Sequence, residues 1–211
     1  MEFEKFPKIY RSNGDVIITE KLDGTNAQIG IKEIETALEY EQAMRDPHCL
    51  HVFGGIDSEV GDNPLALYAG SRNRWLTVHE DNFGFANWVV ENLDELQKLG
   101  PGRHYGEWYG LGIQRGYAQA EKHLALFNVQ RWGAHNLNTP ACVEVVTTLN
   151  SAEGFGRGTT VEQCMYQLYA HGSAHVPGFL KPEGIIVYHC PSRTLSKTTF
   201  ENSKGKWTSA A

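Results

Sequence analysis

ITEKLDGTNAQIGI, residues 18–31, is the stretch whose reading decides the rest of this chain. Two apolar runs, Val16–Thr19 and Ala27–Ile31, read as strands on either side of a polar turn, Lys21–Asn26. The second run alternates, with Ala27, Ile29 and Ile31 on one face and Gln28 on the other, the period of a half-buried strand. A lysine in that turn is presented at the mouth of a sheet and not on a solvated helix. Desolvation and neighbouring cations lower an amine's pKa, which is what a nucleophilic lysine requires. Gly24 allows a sharp turn or the close approach of a ligand. Asp23-Gly24 is equally a common hairpin turn pair, so from this stretch alone a plain polar turn stands beside the catalytic reading.

Further from the turn, four stretches carry isolated polar or aromatic residues inside apolar strands. HYGEWYG (104–110) places Glu107 among aromatics and glycines, and LALFNVQRW (124–132) contains Phe127. KPEGIIVYH (181–189) puts Glu183 at the entrance of an apolar strand, and TLSKTTF (194–200) puts Lys197 inside another. Taken singly, each has a bland explanation: solvated strand-end glutamates, a core phenylalanine, a solvent-facing lysine.

The remaining pattern interleaves strands and helices. Phe85–Leu99 reads as an amphipathic helix through Trp88, Val89, Leu93, Leu96 and Leu99, stopped by Gly100-Pro101. Strands are predicted at Arg103–Tyr109, His123–Gln130, Cys142–Val146, Gly184–His189 and Thr194–Thr199. Thr160 followed by Gln163 forms a capping box for a helix through Ala170, while Ile34–Met44 fits a helix or a strand. Short, turn-linked strands predict an α+β fold with antiparallel sheets flanked by helices. No Pro/Gly/Ser linker divides the chain, which predicts a single domain over 1–211.

Composition narrows the function classes. The 211 residues are 41% apolar and 21% charged, which excludes long disorder, collagen and a membrane protein. No run reaches the roughly 18 apolar residues of a spanning helix, and MEFEKFPKIY has no apolar signal core, so a cytoplasmic protein is expected. Cys49, Cys142, Cys164 and Cys190 are too widely spaced for a zinc clip or a disulfide framework and read as reduced thiols. Nineteen bases against twenty-five acids give −6 and exclude a uniformly basic nucleic-acid binder. The charge is uneven: segment 33–64 has eight acids and one base, Arg45, whereas 181–211 has five bases and two acids.

In this order and spacing the isolated stretches form a known set. The chain resembles the covalent nucleotidyltransferase superfamily of ATP-dependent DNA ligases, RNA ligases and mRNA capping enzymes. Lys21-Leu22-Asp23-Gly24 matches the KxDG nucleophile motif, and Ser71-Arg72-Asn73-Arg74 resembles the arginine motif that follows it. Tyr105-Gly106-Glu107 resembles the third motif, Phe127 the base-stacking aromatic, Glu183-Gly184 the fourth motif and Lys197 the first lysine of the fifth. Glu20-Lys21…Gly24-Thr25-Asn26 is most similar to RNA ligases, above all the phage type that seals nicked duplexes. Two positions depart from the pattern: Lys197-Thr198-Thr199 stands where Lys-x-Lys is usual, and Asn128 where an acid is common. Lys204 or Lys206 could supply the second cation.

The resemblance implies a nucleotidyltransferase domain, and the chain ends some fourteen residues after Lys197, where DNA ligases and capping enzymes carry a further OB-fold. It implies attack by Lys21 on the α-phosphorus of ATP, giving a lysyl-AMP and pyrophosphate, then transfer of AMP to a 5′-phosphate and attack by a 3′-hydroxyl. Lys197, with Lys181, would neutralise the α-phosphate, and Arg72 would hold phosphate through a planar fork. Glu107 would accept from ribose hydroxyls, Phe127 would stack on adenine, and Asn26 would line the nucleotide site. The backbones of Thr19 and Glu20 would read the adenine edge. Glu183 would hold Mg2+ or Mn2+, with Asp23 in the hydrated shell. The implied partner is nucleic acid with 5′-phosphate and 3′-hydroxyl ends, RNA ahead of DNA. A minimal DNA ligase, a capping-type guanylyltransferase and a non-catalytic binding module of the same fold are the alternatives.

Overall fold

The computed structural model describes residues 15–55, 63–133, 136–151 and 154–201. In chain order the elements are β1 (Val16–Lys21), β2 (Thr25–Glu33), α1 (Ala37–Arg45), β3 (Cys49–Phe53), β4 (Leu65–Gly70), α2 (Phe85–Glu91), α3 (Leu93–Leu96), β5 (Gly102–Gly110), β6 (Lys122–Leu126), α4 (Val129–Trp132), β7 (Glu144–Val145), α5 (Val161–His171), β8 (Gly184–His189) and β9 (Thr194–Thr199). This is a mixed α+β architecture with two sheets. It divides into two compact units, one of residues 1–21 with 147–211 and one of 22–146.

The first unit is a three-stranded antiparallel sheet ordered β1-β8-β9. Its strands are rich in β-branched residues, the type that fits a pleated, half-buried surface. Ile18, Ile185 and Val187 point to one face and form a core with Leu149 and with Cys164, Met165 and Leu168 of α5. α5 begins with the expected capping box, Thr160 and Gln163 exchanging side-chain and backbone bonds. The opposite face of this sheet carries Thr19, Lys21, Ile186 and Lys197, because the register pairs Lys21 with Gly184, and Thr19 with Ile186, itself paired with Lys197.

The second unit is a six-stranded sheet ordered β3-β4-β2-β5-β6-β7. Ala27, Ile29, Ile31, Trp108, Leu124 and Leu126 face its core and pack on Phe85, Val89, Leu96 and Leu99. The reverse face carries Asn26 and Gln28 of β2 and Tyr105 and Glu107 of β5, since Asn26 is in register with Glu107 and Gln28 with Tyr105.

Three expectations need correction. The sheet is not wholly antiparallel, because β6 and β7 pair in parallel. The helix predicted over 85–99 is broken at Asn92, whose φ of −121° is non-helical and whose side-chain amide donates to the Trp88 carbonyl at 2.8 Å. An asparagine that bonds the local backbone in this way competes with the helix ladder. The strand predicted over 123–130 ends at Leu126, because Asn128 caps α4 by accepting from the Arg131 amide at 3.1 Å. The two-way reading of Ile34–Met44 resolves as a helix, α1, capped by Thr36.

Candidate active site

On the first unit, Lys21 is the last residue of β1, and its Nζ lies 2.5 Å from Glu183 Oε2. Glu183 precedes Gly184, the partner of Lys21 in the ladder, so antiparallel pairing brings together two residues 162 positions apart. Both side chains are partly buried, at 21% and 15% exposure, which strengthens their attraction over that of a surface pair. Gly184 admits this packing: a Cβ there would sit 2.1 Å from the Thr198 carbonyl oxygen. Lys197 lies on the same sheet face, two strands away, and its side chain is exposed. Lys181 is exposed in the segment before β8.

Glu20 differs from the other predicted residues. It points to the core face and is 1% exposed. Its Oε2 accepts the backbone amides of Ala174 and His175 at 2.8 and 2.9 Å, while Oε1 is buried with no hydrogen-bond partner among the described residues. Burial pushes its carboxyl above the usual carboxylate range, against the lowering effect of bonds to Ser173, His175 and Ala174. The Glu20 amide donates to the Thr147 carbonyl at 3.0 Å. Its neighbour Thr19 forms a bridge with Thr148 and turns its side chain to the face of Lys21.

On the second unit, Glu107 gathers the turn that follows Lys21. One carboxylate oxygen accepts from the Gly24 amide at 3.0 Å and the other from Asn26 Nδ2 at 3.3 Å. At 8% exposure it is a buried carboxylate held by hydrogen bonds. Gly24 is required here by close approach, since a Cβ would fall 2.4 Å from the Trp108 carbonyl oxygen. Phe127 leaves β6 with its amide bonded to the Tyr105 carbonyl, and its ring is 40% exposed. A phenylalanine so exposed is open to stacking on a planar ligand.

Arg72 lies exposed in the 71–74 turn, which Gln28 anchors by donating to the Ser71 carbonyl. Arg74 is committed elsewhere: its guanidinium donates to the Glu80 and Asp81 carbonyls. Asp23 is engaged by Arg115, with Nε 2.8 Å from Oδ2, and the Asp23 amide donates to the Tyr117 hydroxyl at 2.9 Å. Sequence reasoning missed Arg115 and Tyr117, because nothing local marks a contact more than 90 positions away. Lys204 and Lys206 lie outside the described residues.

Among the described residues no group of three or more His, Cys, Asp or Glu is arranged to hold a metal ion. A single partly buried carboxylate, Glu183, suits magnesium, which keeps several waters and shares substrate phosphates. All four cysteines are free thiols, and burial pushes Cys142 and Cys164 up to about 11, the signature of inert side chains. No helix among the described residues is long and apolar enough to cross a membrane.

Neither the curated proteins nor the solved structures compared with this chain give a match. The family model described as RNA ligase matches residues 14–206, from just before β1 to beyond β9 and so across both sheets. With Lys21 and Glu183 paired at one end of that span's strands and Glu107 bound to the turn that follows Lys21, the chain belongs to the RNA ligase family.

Proposed function

We propose that this chain is an ATP-dependent RNA ligase of the covalent nucleotidyltransferase type, closest to the phage ligases that seal nicks, and that it works through a lysyl-AMP in the cytoplasm. The observation that supports this most is Lys21 at the end of β1 with its ammonium against the Glu183 carboxylate. Partial burial of a lysine at a strand end calls for a paired carboxylate, and Glu183 supplies it.

In this reading Lys21 Nζ, once deprotonated, attacks the α-phosphorus of ATP. A nitrogen–phosphorus bond forms, and the bond to the β-phosphate bridging oxygen breaks, releasing pyrophosphate. Glu183 holds the Lys21 ammonium in place before reaction and has to give up that pairing for the amine to become nucleophilic. Lys197 and Lys181 offset the negative charge on the α-phosphate, and Arg72 grips phosphate as a bidentate fork. Glu107 accepts from the ribose hydroxyls, and Phe127 stacks on adenine. Magnesium, held by Glu183 and phosphate oxygens, would supply charge neutralisation when bound. AMP then passes to a 5′-phosphate, and a 3′-hydroxyl displaces it to form the phosphodiester.

Two assays test the proposal. Incubation with α-labelled ATP or GTP should label the protein from ATP; label from GTP alone would favour capping chemistry, and none from either a binding module. Sealing of nicks with a 3′-terminal ribose should exceed sealing of all-deoxy nicks, since a 2′-hydroxyl can be read directly; the reverse order would favour a DNA ligase.

A further inference from the structure

The loop between β5 and β6, residues 111–121, is shaped at a conformational cost. Gln114, Tyr117 and Ala118 all have positive φ, at 44°, 49° and 53°. Left-handed backbone at residues other than glycine is unfavourable and persists only where the surroundings over-determine it. Here the surroundings include the complete burial of Ile113 and Tyr117, and the edge-to-face contact of Tyr117 with Tyr109 at 5.5 Å. The conformation delivers two groups to one residue. Arg115 Nε reaches the Asp23 carboxylate, and the Tyr117 hydroxyl accepts from the Asp23 amide. The next residue, Gly24, is held from another strand by Glu107. Asp23 and Gly24 are thus bound through both backbone amides and a side chain, immediately after Leu22.

We propose that Arg115 is a positioning residue for lysine adenylylation: through Asp23 it fixes the turn that begins two residues after Lys21, and Asp23 serves this latch in place of a metal shell. The inference rests on the reading of Lys21 as the nucleophile. Lys21 is the last residue of β1 and only Leu22 separates it from Asp23, so loosening Asp23 lets the end of the strand that carries the reacting nitrogen fray. Misplacement of a reacting group by about 1 Å costs on the order of a hundredfold in rate.

The test is single-turnover formation of lysyl-AMP by the full chain in Arg115→Ala, Arg115→Lys, Asp23→Ala and the double variant, over a range of ATP and magnesium. Arg115→Ala should slow adenylylation at saturating ATP by about tenfold to a hundredfold and leave the half-saturating ATP unchanged, and Arg115→Lys should recover part of the rate. The double variant should be no slower than either single, because both remove the same contact. Half-saturating magnesium should stay constant throughout, and hydrogen exchange at residues 22–25 should quicken. Melting curves identify a variant that fails to fold, in which case Arg115→Lys carries the comparison. A wild-type rate in Arg115→Ala would overturn the inference. So would a rise in half-saturating magnesium confined to the Asp23 variants, which would return Asp23 to the metal. Absence of adduct in the wild-type protein would instead defeat the nucleophile reading itself.

Discussion

Lys21 and Gly24 sit three residues apart and are constrained for different reasons. On the proposed mechanism Lys21 needs a nitrogen that can lose its proton; Gly24 needs to lack a Cβ. Lys21→Arg should therefore abolish the AMP adduct as fully as Lys21→Ala, since a guanidinium keeps its charge but supplies no neutral nitrogen. Adduct at near wild-type yield in gel autoradiography of either variant would contradict this. Gly24→Ala should cost roughly 1–3 kcal/mol in urea unfolding, because the added methyl meets the Trp108 carbonyl at 2.4 Å and that backbone must move. Glu183→Ala should slow turnover and flatten its magnesium dependence; unchanged magnesium titrations would remove Glu183 from the phosphate chemistry. As candidates, Lys21, Glu107 and Glu183 were legible because each is a charged residue within or at the end of an apolar run, and Phe127 because it stands in one. Arg115 and Tyr117 were not, since an arginine and a tyrosine in a glycine-bearing loop carry no local sign of their partner. Glu20 was expected to act through its backbone, beside the adenine edge. In the structure alternation turns its side chain into the core.

The strands were read more faithfully than the helices. β1, β2, β8 and β9 follow from alternating β-branched runs, and α5 from its capping box. Thr160→Ala should lower stability by about 1 kcal/mol, the usual effect of losing a cap, measured by thermal unfolding. The break at Asn92 and the early end of β6 were missed for one reason: an asparagine bonding its own neighbourhood overrides apolar periodicity. β1 also carries a pH-dependent element. Burial raises the Glu20 carboxyl above its ordinary value of 4.5, so the folded state binds the proton more tightly than the unfolded chain does. Stability from this group is present below the ordinary carboxylate range and falls as pH rises through the raised value. Glu20→Gln keeps an acceptor for the Ala174 and His175 amides but does not titrate, so that fall should vanish in the variant. His104 works in the opposite sense, because burial lowers its pKa and acidification below the ordinary histidine range costs stability. It is common to both proteins, so the difference between wild-type and Glu20→Gln urea midpoints across pH isolates Glu20. An equal slope in both would refute the assignment.

At the scale of the molecule, the discontinuous unit was the hardest feature to see. The chain passes between units at residues 21–22 and 146–147, each time within a few residues of a strand and with no Pro, Gly or Ser linker to mark the crossing. The uneven charge was legible, and it carries a prediction for the substrate. If Arg72, Lys197 and the basic 181–211 stretch contact the polynucleotide backbone, sealing should weaken with salt by a log–log slope of about −0.7 to −0.9 per phosphate contacted. A flat salt titration would remove these cations from the interface. The central claim is that one lysine carries the nucleotide, and peptide mapping of the protein after reaction with ATP and magnesium tests it most directly. The account predicts a single AMP on the peptide containing Lys21, through a linkage cleaved by acid and stable to alkali. AMP on any other residue, or a protein left unmodified under conditions in which it seals RNA, would contradict it.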